Sequence, residues 1–201
     1  GFPTDKALKM AERLGLSKQV DQMMDLSWTA PDAPERTLEK TQPPTPNRKP
    51  VVDSLWQAMA ASMSDSVVGV RNYDYLVDRY QTHPLNQYQC MLVRHRITQQ
   101  ARGVFVMHDR GEEGGIELLD LVGPPSHWPN LIRAARGQLA LLGRKRVYLW
   151  TTRSHAAMLS GTSPAVREME LMVPANVWTP GPSADELQGK WWLTGGDTDF
   201  R

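Results

Sequence analysis

Tyr75, Arg79, Tyr80, His83 and Tyr88 crowd into one short stretch and form the richest polar-aromatic cluster in the sequence. Phenols, a guanidinium and an imidazole can hold a polar substrate and exchange protons with it. The same residues also have a plain packing reading, with Tyr80 and Tyr88 in the core and Arg79 paired to a carboxylate. The remaining reactive types are scattered. Cys90 lies in the middle of a strand pattern with no partner base nearby, so it reads as a buried structural thiol. His95, His108, His127 and His155 show no metal-ligand spacing, and a single cysteine excludes a thiolate-rich zinc site. His155 reads as a surface histidine on a short helix. Asp197-Thr198-Asp199 lacks the other ligands of a calcium loop and reads as a solvated tail. No residue is assigned a catalytic role and no metal is expected.

Composition narrows the class. The 201 residues are 40% hydrophobic and 22% charged, with a formal net charge of +1. That balance gives no basic footprint for nucleic acid, and Arg144-Lys145-Arg146 alone is a weak phosphate patch. One cysteine points to a reducing, cytoplasmic location. No apolar run is long enough to span a bilayer, and no signal-peptide pattern opens the chain. The start at Gly1-Phe2-Pro3, without an initiator Met, suggests a piece of a longer protein.

Patterning supplies the elements that position these residues. Residues 4–16 read as an amphipathic helix and 20–28 as a strand, a unit too small to bury its own apolar face. Residues 30–50, with Pro31, Pro34, Pro43, Pro44, Pro46 and Pro50, read as a linker. Helices follow at 51–63 and 73–81. Strands at 88–95 and 101–108 form an antiparallel hairpin. The run at 116–122 is a buried strand, 128–142 a long helix and 146–151 another strand. Such a strand–helix–strand order makes a parallel pair through a right-handed crossover. A short helix at 154–160 and strands at 166–173 and 190–193 complete an α/β fold built on a mixed sheet.

This order resembles the GNAT acyltransferases (GCN5-related N-acetyltransferases). Tyr75-Leu76-Val77-Asp78-Arg79-Tyr80, with His83-Pro84 and Tyr88, is similar to a segment near the start of some members, although Asp78 replaces their Trp. Gly1-Phe2-Pro3 followed by a helix and Leu14-Gly15 resembles a late region of such a domain, and the closing run from Trp191-Trp192 to Asp199-Phe200 resembles a C-terminal strand. The resemblance implies acyl transfer from acetyl-CoA or another acyl-CoA to an amine, with Tyr75, Arg79, Tyr80, His83 and Tyr88 lining the acceptor site. It also suggests a tandem arrangement. Residues 1–29 would be the tail of a preceding GNAT-like domain, 30–50 the linker and 51–201 the second domain. The partner would then be the missing N-terminal domain, with a homodimer or strand exchange as a further possibility.

In the family, the cofactor pyrophosphate sits on backbone N–H groups where a central strand meets the long helix, in a Gln/Arg-x-x-Gly-x-Gly/Ala loop. The matching segment here runs from Val122 to Pro129 and contains one glycine and three prolines. Val122, Gly123, Ser126 and His127 are the cofactor-binding candidates, with Ser126 as helix N-cap. Each proline removes a donor and Trp128 adds bulk, so the loop is expected to be degraded. Two functions follow: the C-terminal part of an acyltransferase, or a non-catalytic module that supports a catalytic partner domain.

Overall fold

The computed structural model describes residues 3–30 and 38–198. It opens with α1 (Asp5–Arg13), β1 (Ser17–Thr29), β2 (Glu39–Gln42), α2 (Lys49–Ser62) and β3 (Val67–Val68). Next come α3 (Tyr73–Leu76), β4 (Gln89–His95), β5 (Ala101–Asp109), the single turn α4 (Gly111–Gly114) and β6 (Ile116–Val122). The chain finishes with α5 (Trp128–Leu142), β7 (Arg146–Thr152), α6 (Arg153–Ala156), β8 (Ala165–Asn176), α7 (Ala184–Leu187) and β9 (Trp191–Trp192). Seven strands form one sheet in the order β2-β4-β5-β6-β7-β1-β8.

The centre of the sheet is dictated by apolar content. All seven residues of β6 are buried, as expected for a strand covered on both faces. Leu131, Ile132, Ala135 and Leu139 form the stripe by which α5 covers one face, packing against Phe105, Leu118 and Leu121. On the other face Val52, Leu55 and Leu76, from α2 and α3, meet Leu92, Val104 and Val106. β4 and β5 form the expected hairpin, and α5 links β6 to a parallel β7.

One stretch extends the sequence reading and one departs from it. β1 is a full strand of the sheet, antiparallel to β7 on one side and β8 on the other. Its apolar Val20, Met23, Met24 and Leu26 are thereby buried. Inside the stretch read as linker, Glu39–Gln42 pairs with β4 as an edge strand. Its polar Lys40, Thr41 and Gln42 suit an edge and therefore carry no strand signal. Pro31 and Pro34 lie outside the described residues.

Cys90 is buried on β4, and burial pushes its thiol up to about 12. We expect it to resist a thiol reagent in native buffer at mildly alkaline pH and to react fully in denaturant. A colorimetric thiol count in each state checks this.

Among the described residues, no helix is long and apolar enough to cross a membrane.

Candidate functional site

β6 and β7 are hydrogen-bonded neighbours only at their start, through Ile116–Val147, Glu117–Tyr148 and Leu118–Leu149. Beyond Leu118 they diverge. A bulge lies at the same point: Met107 faces Leu118 and Val106 faces Asp120, so Leu119 is an extra residue on β6. Bulges bend a strand and re-aim its side chains. Here Asp120 turns toward α3, where Tyr80 reaches it.

The opening between the two strands is filled by the chain's own C-terminal segment. Thr194 forms an antiparallel bridge with Thr151 of β7. Its Oγ1 donates to the Leu119 carbonyl on β6 at 2.6 Å, so one residue touches both sides of the gap. Thr152 Oγ1 donates to the Trp191 carbonyl at 2.6 Å. Trp192 is fully buried and stacks on Trp128 with ring centroids 4.4 Å apart. β9 also pairs in parallel with β3. At Gly196 a Cβ would lie 2.1 Å from the Tyr80 hydroxyl and 2.7 Å from the Leu119 carbonyl, so only glycine lets the segment sit this deep.

A buried ionic network fastens the segment. Arg71 and Asp120 are both fully buried and meet at 2.6 Å, Nε to Oδ1. The Arg71 Nη2 reaches both oxygens of Asp197, at 2.8 and 2.7 Å, and Nη1 donates to the Gly69 carbonyl. Tyr80 donates to Asp120 Oδ2 at 3.1 Å, and Tyr75 lies at 3.4 Å. Burial holds the Asp120 carboxyl above its ordinary value despite Arg71. Burial, reinforced by the Asp120 charge, likewise raises both phenols. For Arg71 burial acts downward, but the charges of Asp120 and Asp197 outweigh it and keep it protonated. The aspartate read as part of a solvated tail is thus an anchor, and Thr198 beside it is buried. Asp199 lies outside the described residues.

The five predicted acceptor residues come together in space. Arg79, Tyr80, His83 and Tyr88 line a cavity of about 240 Å³ with Leu119, Gly196 and Thr198. Tyr75 stands behind it, edge-on to Tyr80 at 5.9 Å. The local cause is the end of α3, where Val77–Gln81 continue as a π-helical turn. Asn72 caps the start by accepting from Tyr75 N at 2.9 Å. Arg79 reaches the carbonyls of Gly196 and Thr198, at 3.0 and 2.6 Å.

The turn that the resemblance matches to the pyrophosphate loop is poor in free backbone donors. Pro124, Pro125 and Pro129 have no N–H. The His127 N–H bonds the Pro124 carbonyl at 2.8 Å, and the Trp128 N–H bonds Pro125. Val122 is buried in β6, and Ser126 is exposed. The expected Ser126 cap is corrected: the N-cap of α5 is His127, with no side-chain bond. Its ring instead lies 2.9 Å from the Arg102 carbonyl. Gly123, at φ 135°, presses on β5, where a Cβ would meet the Arg102 carbonyl at 2.9 Å. Its carbonyl accepts from the buried Trp128 indole at 3.0 Å. The glycine therefore permits close strand packing.

His155 is not on the surface. It is 4% exposed, with Nε2 2.9 Å from Ser66 Oγ and its ring edge-on to Trp192. Burial lowers its pKa. Sequence reasoning missed Arg71, Asp120, Asp197 and Trp192 as a unit. Two signals were present: acidic Glu117 and Asp120 within the otherwise apolar run of β6, and the Thr194-x-x-Asp197 spacing of a capping box, which the structure forms.

No protein-family model and no curated protein matches the chain. Solved structures do. A GCN5-related N-acetyltransferase from Sphaerobacter thermophilus aligns at 12% identity and TM-score 0.55, covering 91% of this chain and 61% of that one. One from Anabaena variabilis aligns at 11% and 0.55, covering 87% and 43%. A conserved protein of unknown function from Enterococcus faecalis V583 aligns at 9% and 0.58, covering 83% and 42%. The chain thus has the fold of the GCN5-related N-acetyltransferases and spans only 42 to 61% of these three proteins' lengths.

Proposed function

We propose that this chain is a non-catalytic GNAT-fold module that supports an acyltransferase domain carried elsewhere in a longer protein. The observation behind this reading is the turn after β6. Anion binding at a helix N-terminus needs backbone N–H groups that point outward. Between Pro124 and Pro129, three residues lack one and two more use theirs inside the turn. The segment from Trp191 to Thr198 reinforces the reading, because it fills the gap beside β6, the strand from which that turn departs.

The fold supports membership of an acyl-CoA-dependent assembly, and the fractional coverage of the longer neighbours fits a chain with a companion domain. In this reading acetyl-CoA, or another acyl-CoA, is held by that companion. Residues 1–29 are the tail of a preceding GNAT-like domain, and its last strand, β1, is built into the sheet of the second. The cavity at Arg79, Tyr80, His83 and Tyr88 then shapes the surroundings of the acceptor without carrying a reacting group. A single buried cysteine fits a cytoplasmic home.

Calorimetric titration of this chain with acetyl-CoA should give no saturable heat at about millimolar ligand. Micromolar binding, weakened by changes to the 123–128 turn, would return the catalytic reading to this chain.

A further inference from the structure

We infer that the opening between β6 and β7 is a peptide-binding slot, filled in cis by residues 191–198. It takes a segment that is extended through Thr194 and then turns helically over Gly195–Asp197, with the spacing Trp-x-Thr-x-x-Asp. The inference rests on the reading above, in which this opening is not a cofactor cleft.

Each element of that spacing has its own receptor. The first is a pocket for one indole, made by the face of Trp128 at 4.4 Å and the edge of His155 at 5.8 Å. The second is the pair of diverging strands, whose backbones take the threonine. Thr151 bridges Thr194, and the Leu119 carbonyl accepts its hydroxyl at 2.6 Å. The third is Arg71, whose guanidinium takes both oxygens of Asp197. A carboxylate on a buried, oriented guanidinium is a strong and geometrically selective contact. Strand-like pairing of a segment with an open backbone edge, plus pockets for individual side chains, is a known mode of peptide recognition.

A second observation concerns how well the occupant fits. Trp191 Nε1, Trp192 Nε1 and Thr151 Oγ1 are buried without a hydrogen-bond partner among the described residues. A buried donor left unpaired weakens the state that contains it. The cis segment therefore fills the slot imperfectly, and an equivalent segment can compete with it. The chain leading to it helps: residues 176–183 are exposed throughout. A second copy of this chain carries the same spacing, which makes exchange between copies the simplest natural source of a competitor.

The test uses the full, folded chain with a protease site inserted between Pro180 and Gly181. After cutting, the fragment from Ser183 onward should co-elute with the body in native gel filtration, with the circular dichroism unchanged. A fluorescent synthetic peptide of residues 183–201 should then replace it. Peptides carrying Trp192→Ala or Asp197→Asn should compete at least about tenfold more weakly, a difference measurable by titration. The slot is overturned if cutting unfolds the protein, if no exchange occurs while the cut body stays folded, or if both altered peptides compete equally well. An acetyl-CoA arm separates the two readings. Saturable acetyl-CoA binding that leaves the labelled peptide in place sinks the non-catalytic reading and not the slot, whereas displacement of the peptide by acetyl-CoA sinks both. Failed exchange without acetyl-CoA binding sinks the slot and not the non-catalytic reading.

Discussion

Replacing Arg71 with methionine lowers the unfolding free energy by about 3–5 kcal/mol, the range expected when one partner of a buried ion pair is removed. The reason is what the substitution leaves behind. Asp120 is fully buried, and without Arg71 its carboxylate retains only neutral partners: Tyr80 at 3.1 Å, Tyr75 at 3.4 Å and the Leu121 N–H at 3.1 Å. Asp197 loses its guanidinium partner as well. The loss depends on pH, with a sign that follows from protonation. Burial already holds the Asp120 carboxyl above its unfolded value, and losing Arg71 raises it further. A group whose folded pKa is raised favours the folded state only when protonated, so the deficit is largest at neutral pH and shrinks on acidification through the raised value. Urea midpoints at neutral and mildly acidic pH measure this. A deficit that grows on acidification would show that Asp120 is not the group left exposed to the change. Replacing Arg71 and Asp120 together with apolar residues of similar volume should cost less than the single change, because the only charge then left without its partner is the partly exposed Asp197 rather than the fully buried Asp120.

Trp192→Ala carries the second large effect, also about 3–5 kcal/mol, the range for truncating a buried large aromatic side chain. Trp192 is fully buried between Trp128 and His155, within the core cluster that includes Met59, Met63 and Leu118. Truncation leaves a cavity at the mouth of the diverging strands and removes the stacked partner of Trp128. The near-ultraviolet circular dichroism of the stacked pair should be lost along with stability. Trp178, which is 66% exposed, serves as the internal comparison: its change to alanine should stay within about 0.5 kcal/mol. Equal effects at the two positions would remove Trp192 from the core of the argument.

How far the sequence carried these conclusions differs by element. The central strand and the long helix announce themselves, because β6 is apolar nearly throughout and α5 repeats its apolar residues at helical spacing. β2, a four-residue polar edge, does not, and neither does the pairing of β9, whose partner is far away in the chain. The cluster around Tyr80 was visible because its members are near one another in sequence. Arg71 was not, because its carboxylate partners lie 49 and 126 residues away. The shortage of donors in the turn after β6 was legible for a simple reason: prolines remove donors wherever they stand. What no local pattern conveys is that the chain's last described segment would fill the space beside it.

The place of β1 bears on how the protein is made. Ser17 pairs with Asn176, and Met24 lies between Thr151 and Glu168. During synthesis β1 leaves the ribosome ahead of both its neighbours, β7 and β8, which follow only after β2 to β6. Its Val20, Met23, Met24 and Leu26 lack their sheet partners throughout that interval. Pairings so distant in sequence make for slow closure and long exposure of a sticky edge. A translation pause before β8 would lengthen the interval at greatest risk of aggregation.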